Sequence, residues 1–158
     1  MDATLTVPAK SERPLLTVDV HLLLQDEGRV LLGLRANTGY YDGYYHVPAG
    51  HLEKEETFVQ ALIRETAEEL GIAVDEEDVE LAYVLHNKSN NDRIGLFFRV
   101  GRWGGDIQNN ELDKCAALEW FPLNAPPENT VPYLKHALHD IGRKVTIGDF
   151  GWPGREKG

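Results

Sequence analysis

The chain has 158 residues, with 16 Lys and Arg against 26 Asp and Glu, for a formal net charge of −10. That length fits a single domain over residues 1–158 with a full hydrophobic core, and the single cysteine, Cys115, excludes an intrachain disulfide. The acidic balance argues against nucleic-acid polymers and anionic membranes, which need clustered Lys and Arg, but leaves open a small anionic substrate that meets a local cation or metal.

Residues 1–14 contain no apolar run that would make a signal peptide, so the expected location is cytoplasmic. Leu15–Gln25 and Arg29–Arg35 read as strands around an Asp26-Glu27-Gly28 turn, the pattern of a hairpin. Neither run nears the roughly 20 apolar residues that cross a bilayer. A Tyr- and Gly-rich loop, Ala36–Gly43, precedes a short strand at Tyr44–Pro48. Thr57–Leu70 predicts a helix, with Thr57 and Gln60 as a capping box and Gly71 as the stop. Glu80–His86 and Ile94–Arg102 read as a second strand pair and Ala116–Phe121 as a further strand. Asn129–Ile141 carries Val131, Leu134, Ala137, Leu138 and Ile141 at helical spacing. Strands mixed with two helices indicate an α/β (α+β) sandwich.

On a wheel of about 100° per residue, Phe58, Leu62, Thr66 and Ala61 form the apolar arc of the first helix. Glu65 and Glu69 fall inside that arc and Glu68 flanks it. Burying adjacent carboxylates costs hydration and mutual repulsion, so a cation is expected among them. Oxygen ligands of this kind suit Mg²⁺ or Mn²⁺. The alternative, a solvated acidic face, is disfavoured by the apolar residues on the same arc.

The segment Gly50–Ile72 also resembles the Nudix box, G-x5-E-x7-R-E-U-x-E-E-x-G-U, with Gly50, Glu56, Arg64, Glu65, Glu68, Glu69, Gly71 and Ile72 in register. Only Thr66, where an aliphatic residue is usual, departs from it. Tyr44–Gly50, Leu31–Arg35 and Leu118–Leu123 are placed as in the same family, with Ala49 standing for a common glycine. The resemblance implies a Nudix-type α/β/α sandwich with a mixed sheet and a MutT-like hydrolase that attacks a pyrophosphate with water and needs Mg²⁺ or Mn²⁺. Gly50 (through its carbonyl), Glu65, Glu68 and Glu69 would hold metal. Arg64 and Glu56 would orient the carboxylates, an alternative to an ordinary surface ion pair. The general base would be Glu65, with Glu111 and then Glu119 as alternatives.

For substrate binding the expected residues are Arg35, Tyr45, Glu111 and Tyr133, with Asn129 beside the last. The tyrosines at 40, 41, 44 and 45 suit either base stacking or packing within the loop. His46 and His51 are expected to be hydrogen-bonded structural residues, and no Cys/His spacing suggests zinc. Cys115 is expected to be a buried or half-buried thiol. Phe150–Gly154 suits an ordered tail or a homodimer contact. The expected reaction is cleavage of a nucleoside triphosphate to the monophosphate and pyrophosphate. The alternatives are an ADP-ribose or nucleotide-sugar pyrophosphatase and a non-catalytic nucleotide-binding regulatory domain. A calcium-binding EF-hand is excluded, since no D-x-D-x-D-G loop is present.

Overall fold

A computed structural model describes residues 12–155. β1 (Thr17–Asp26) and β2 (Arg29–Arg35) come first, followed by β3 (Tyr45–His46), β4 (Ala49–His51) and α1 (Phe58–Leu70). A single 3-10 turn at Glu76–Asp78 leads into β5 (Val79–Asn87), β6 (Arg93–Val100), β7 (Cys115–Pro122), α2 (Pro132–Gly142) and β8 (Ile147–Phe150). The strands run in the order β3-β2-β1-β6-β5-β8, with β4 also paired to β1 and β7 to β2. The β1/β6 and β5/β8 pairs are parallel and the others antiparallel, so the sheet is mixed.

β1 is buried on both faces, and its alternation sorts the core in two. Val20, Leu22 and Leu24 join Ala61, Leu62 and Leu70 of α1, while Leu23 joins Leu134, Ala137 and Leu138 of α2. The helices therefore cover opposite sides, which is the α/β/α arrangement. β1 and β2 do form a hairpin, but their ladder holds only Gln25↔Val30 and Asp26↔Arg29. Beyond it they part, β2 pairing with β7 and β1 with β6.

α1 begins and ends where its capping residues dictate. Thr57 accepts from the Gln60 backbone N–H, the Gln60 side chain accepts from the Thr57 N–H, and Gly71 closes the helix at φ 67°. One apolar expectation fails here. Phe58 is 47% exposed, because it sits in the first turn, beyond the core that covers Ala61 and Leu62. Thr66 is fully buried in the aliphatic position. α2 starts three residues later than its periodicity suggests, because Pro132 serves as the first helical residue.

Two strands escape the sequence reading. β4 is short, lies in the stretch read as loop, and pairs with β1 at Gly50↔Val20. β8 falls where no element is expected, sharing only Phe150 with the anticipated tail, and extends the sheet parallel to β5. After it the tail packs on the domain, with the Trp152 indole N–H donating to the His86 carbonyl at 3.2 Å and Lys88 4.4 Å above the indole. No helix among the described residues is long and apolar enough to cross a membrane.

Candidate active site

A cleft of about 540 Å³ lies between the end of β2, the segment 46–51 that includes β4, the inward face of α1 and residues of the 109–118 stretch. Gly50, Glu65, Glu69, Glu111 and Arg35 all line it. The expected residues Glu56, Arg64 and Glu68 do not line it and stand beside it instead.

Gly50 and Glu65 are matched by shape. A Cβ at position 50 would lie 2.5 Å from the Glu65 Cγ and closer still to its carboxylate, so only glycine leaves the carboxylate where it is. Arg64 holds its other side: Nη1 donates to Glu65 Oε1 at 2.8 Å, Nε and Nη2 grip both oxygens of Glu56 at 3.0 and 2.8 Å, and Nη2 also reaches the His51 carbonyl at 3.2 Å. A bidentate pair of this kind fixes planar geometry. It also lowers the Glu56 pKa, and the Glu53 N–H, donating to Glu56 at 2.7 Å, acts in the same direction. Glu68 is 58% exposed and lies 3.5 Å from Arg64 Nη1.

Glu69 is the group under most strain. Its Oε2 is buried without a hydrogen-bond partner. Desolvation first, then the nearby charges of Glu65 and Glu111, push its pKa up to about 8, against a smaller opposing effect of the Ala49 backbone N–H. Desolvation also raises Glu65, partly offset by Arg64.

Glu111 arrives on a loop fastened to the end of α1. The Gln108 and Asn110 backbone N–H groups donate to the Leu70 and Glu69 carbonyls at 2.9 and 3.0 Å, completing the helix terminus. Asn109 then braces the turn, its Oδ1 accepting from the Glu111 N–H at 3.0 Å and its Nδ2 donating to the Cys115 carbonyl at 2.7 Å. The sequence places Glu111 as a candidate but does not reveal this anchoring. Nothing local in 104–111 indicates that it binds the carbonyl of Glu69 itself.

Among the described residues no three carboxylate, imidazole or thiolate groups already close around one point. Glu65 leans to Arg64 and Glu68 is turned outward, as unscreened carboxylates should be. The donor set nevertheless fits a hard divalent cation. Oxygen groups from Gly50, Glu65, Glu69 and Glu111 share the cleft, and the unpartnered buried Oε2 of Glu69 lacks only a positive charge.

Arg35 lines the cleft with its guanidinium held by neutral acceptors, the Tyr40 carbonyl at 2.7 Å and Thr38 Oγ1 at 3.2 Å. Two other expected substrate contacts are not brought to the cleft. Tyr45 follows strand alternation away from its neighbour His46, donating its hydroxyl to Glu119 at 2.6 Å and packing on Phe121. That bond also occupies Glu119, which does not line the cleft. Tyr133 stands behind the wall, with its hydroxyl on His46 Nε2. Asn129 is spent on the Gly43 carbonyl at 2.9 Å. The tyrosines at 40, 41 and 44 pack edge-on within their own loop, at 4.7 and 5.2 Å between successive rings, and none lines the cleft.

His46 Nδ1 faces the Val47 carbonyl at 2.7 Å, which makes Nδ1 the protonated nitrogen and leaves Nε2 to accept from Tyr133. Burial lowers its pKa to about 4, so the ring is neutral. Beside it His21 is buried and stacked on Phe97 at 4.3 Å, also held neutral by desolvation. His51 contacts Asp19 through Nδ1, and Arg93 Nε is 3.0 Å from the other oxygen of the same carboxylate. Cys115 is half-buried, its thiol donating to the Ala117 carbonyl at 3.2 Å and raised in pKa by desolvation.

A glycine-to-glutamate loop feeding a helix whose Glu65 and Glu69 line a cleft is the arrangement of the Nudix hydrolase class. The chain belongs to the NUDIX family: the NUDIX domain profile matches residues 14–141. It is 45% identical over 129 residues to the low-salt glycan biosynthesis protein Agl8 of Haloferax volcanii, covering 79% of this chain and 80% of that one. It is 30% identical over 86 residues to an 8-oxo-dGTP diphosphatase of Proteus vulgaris, covering 54% of this chain and 76% of the other. A MutT NUDIX hydrolase from Burkholderia pseudomallei superposes with a TM-score of 0.71 at 25% identity, over 80% of this chain and 98% of that structure. The MutT protein of Methanosarcina mazei shares the fold with a TM-score of 0.70 at 22% identity, over 84% and 96% of the two chains. The fold and the MutT-like Nudix assignment made from the box both stand.

Proposed function

We propose that this protein is a Mg²⁺- or Mn²⁺-dependent pyrophosphohydrolase that cleaves a nucleoside triphosphate to the monophosphate and pyrophosphate. The observation that carries the reading is the unpartnered, buried Oε2 of Glu69 among Glu65 and Glu111, in a cleft that Arg35 also lines. A divalent cation there supplies charge neutralisation of the pyrophosphate and lowers the pKa of the attacking water. Glu65, Glu69 and the Gly50 carbonyl would hold it, with Glu68 completing the set from the helix edge.

The remaining steps belong to the chain. Arg64, clamped on Glu56, orients Glu65 from behind. Arg35, with donors to spare, takes a phosphate oxygen. The proton of the water passes to a carboxylate. Glu65 is within the box but shares its charge with Arg64, whereas Glu111 lines the cleft without such a partner. The neutral, buried His46 forms part of the inner wall.

A second reading, cleavage of a nucleotide sugar, is favoured by the 45% identity to a protein named for glycan biosynthesis. A panel of nucleoside triphosphates, oxidised guanine nucleotides, ADP-ribose and nucleotide sugars, incubated with and without Mg²⁺ and resolved by mass, separates the two. Pyrophosphate arises only from the triphosphate reaction. Nucleotide binding with no product from any compound would instead favour a regulatory domain.

A further inference from the structure

The cleft is lined by groups of both charges: the carboxylates of Glu65, Glu69 and Glu111, and the cations Arg35 and Lys114. Lys114 has no part in the readings above, yet its backbone is fixed on both sides. The Ala36 N–H donates to its carbonyl at 2.9 Å and its own N–H donates to the Glu111 carbonyl at 2.9 Å. One residue earlier, the Asp113 carbonyl accepts from Asn37 Nδ2 at 2.8 Å, and one residue later Cys115 pairs with Arg35 across the β2/β7 ladder. The turn that carries Lys114 is thus tied to the end of β2, and the two cations are held as neighbours.

Among the described residues, no carboxylate lies within ion-pair distance of either. Arg35 keeps N–H groups beyond those given to Tyr40 and Thr38. Two cations in a cleft that also holds metal-competent carboxylates suit a polyphosphate. An ammonium is a compact point charge, best matched by a phosphate with several free oxygens, whereas a sugar would place neutral hydroxyls against it.

We propose that Lys114 is a specificity-determining residue: beside Arg35 it reads the free terminal phosphate of a nucleoside triphosphate, and so sets the site against diphosphates capped by a sugar. This rests on the pyrophosphohydrolase reading and names its substrate class.

The test measures kcat/KM with Mg²⁺, at one ionic strength, for a nucleoside triphosphate and for the nucleoside diphosphate sugar of the same base, in wild type, Lys114→Gln and Lys114→Arg. Losing a charge-assisted contact should lower the triphosphate-to-sugar ratio by about tenfold or more in Lys114→Gln, and Lys114→Arg should hold it within about threefold. Equal losses on both substrates, no loss, or a wild type that prefers the sugar-capped compound would overturn the assignment. If wild type cleaves neither compound, the pyrophosphohydrolase reading fails. Calorimetric titration of the same two compounds then still decides Lys114, since an equal change in affinity for both sinks it.

Discussion

Gly50→Ala asks whether the fit between β4 and Glu65 is functional. The added Cβ would stand 2.5 Å from Glu65 Cγ and closer still to its carboxylate, where ordinary contact begins at 3.4 Å, so the side chain must retreat by more than about 1 Å or swing away. The carboxylate is the far end of a flexible chain, which keeps the cost to folding small, of order 1 kcal/mol. Catalysis has no such slack. A displacement of about 1 Å in a positioned group can lower turnover about 100-fold. It would also pull Glu65 off Arg64, now 2.8 Å away. The expected outcome is a loss of about 100-fold in kcat/KM with Mg²⁺, with a melting temperature within a few degrees of wild type. A folded Gly50→Ala protein with turnover near wild type would refute the placement of Glu65 in the reaction, and a protein that fails to fold would refute the claim that its carboxylate is free to yield.

Glu68→Gln should reduce kcat/KM by about tenfold or more while leaving the melting curve in place, because the side chain is 58% exposed and supports no packing. Unchanged turnover would remove Glu68 from the metal set. Arg64→Gln frees Glu65 and Glu56 together and should weaken Mn²⁺ affinity, read by calorimetry, by about 10-fold or more. Equal affinity would make the arginine purely structural. His46 titrates near pH 4 in the fold against about 6.5 in the unfolded chain. Between those values the unfolded state binds more protons, so stability rises with pH and is lost as pH falls from about 6.5 to 4, by about 3 kcal/mol at full effect. Denaturant unfolding at a series of pH values should show that slope flattened in His46→Gln, and an identical slope would assign it elsewhere.

Local signals carried the parts of this molecule that are built locally. Thr57, Gln60 and Gly71 mark α1 to the residue, since each acts within one turn of the helix it bounds. The wheel placed Glu65 and Glu69 inward, and both line the cleft. Phe58 on the same arc is exposed, because an arc says nothing about where along the helix the core stops. β4 and β8 were hidden for a related reason. They are too short for alternation to register, and their pairing with β1 and β5 comes from remote parts of the chain. Tyr45 and Tyr133 looked like substrate contacts from their neighbours in sequence. Their hydroxyls are committed to Glu119 and His46, more than 70 residues away in each case. Lys114 and Asn109 carried no signal, because what places them is the anchoring of one loop on another.

The two loops that frame the cleft differ in what they lean on, and this bears on how the site could be re-engineered. Within the 36–44 loop the turn at 38–42 is held largely by its own bonds, while Ala36 and Asn37 tie its start to the 113–114 turn. Asp42 accepts from the Thr38 and Gly39 backbone N–H groups at 3.0 and 2.9 Å, and the tyrosines pack on each other. Such a loop can be varied to change what the mouth of the cleft admits, provided that Ala36, Asn37, Thr38 and the Tyr40 carbonyl, which hold Lys114 and Arg35 in place, are kept. The 104–111 loop is spliced to the helix that bears the carboxylates, through the carbonyls of Glu69 and Leu70. Inserting even one residue there shifts Glu111 out of step with Glu69, so grafts should end before Gln108. Variation in recognition and constancy of chemistry are thus assigned to different stretches of the same rim.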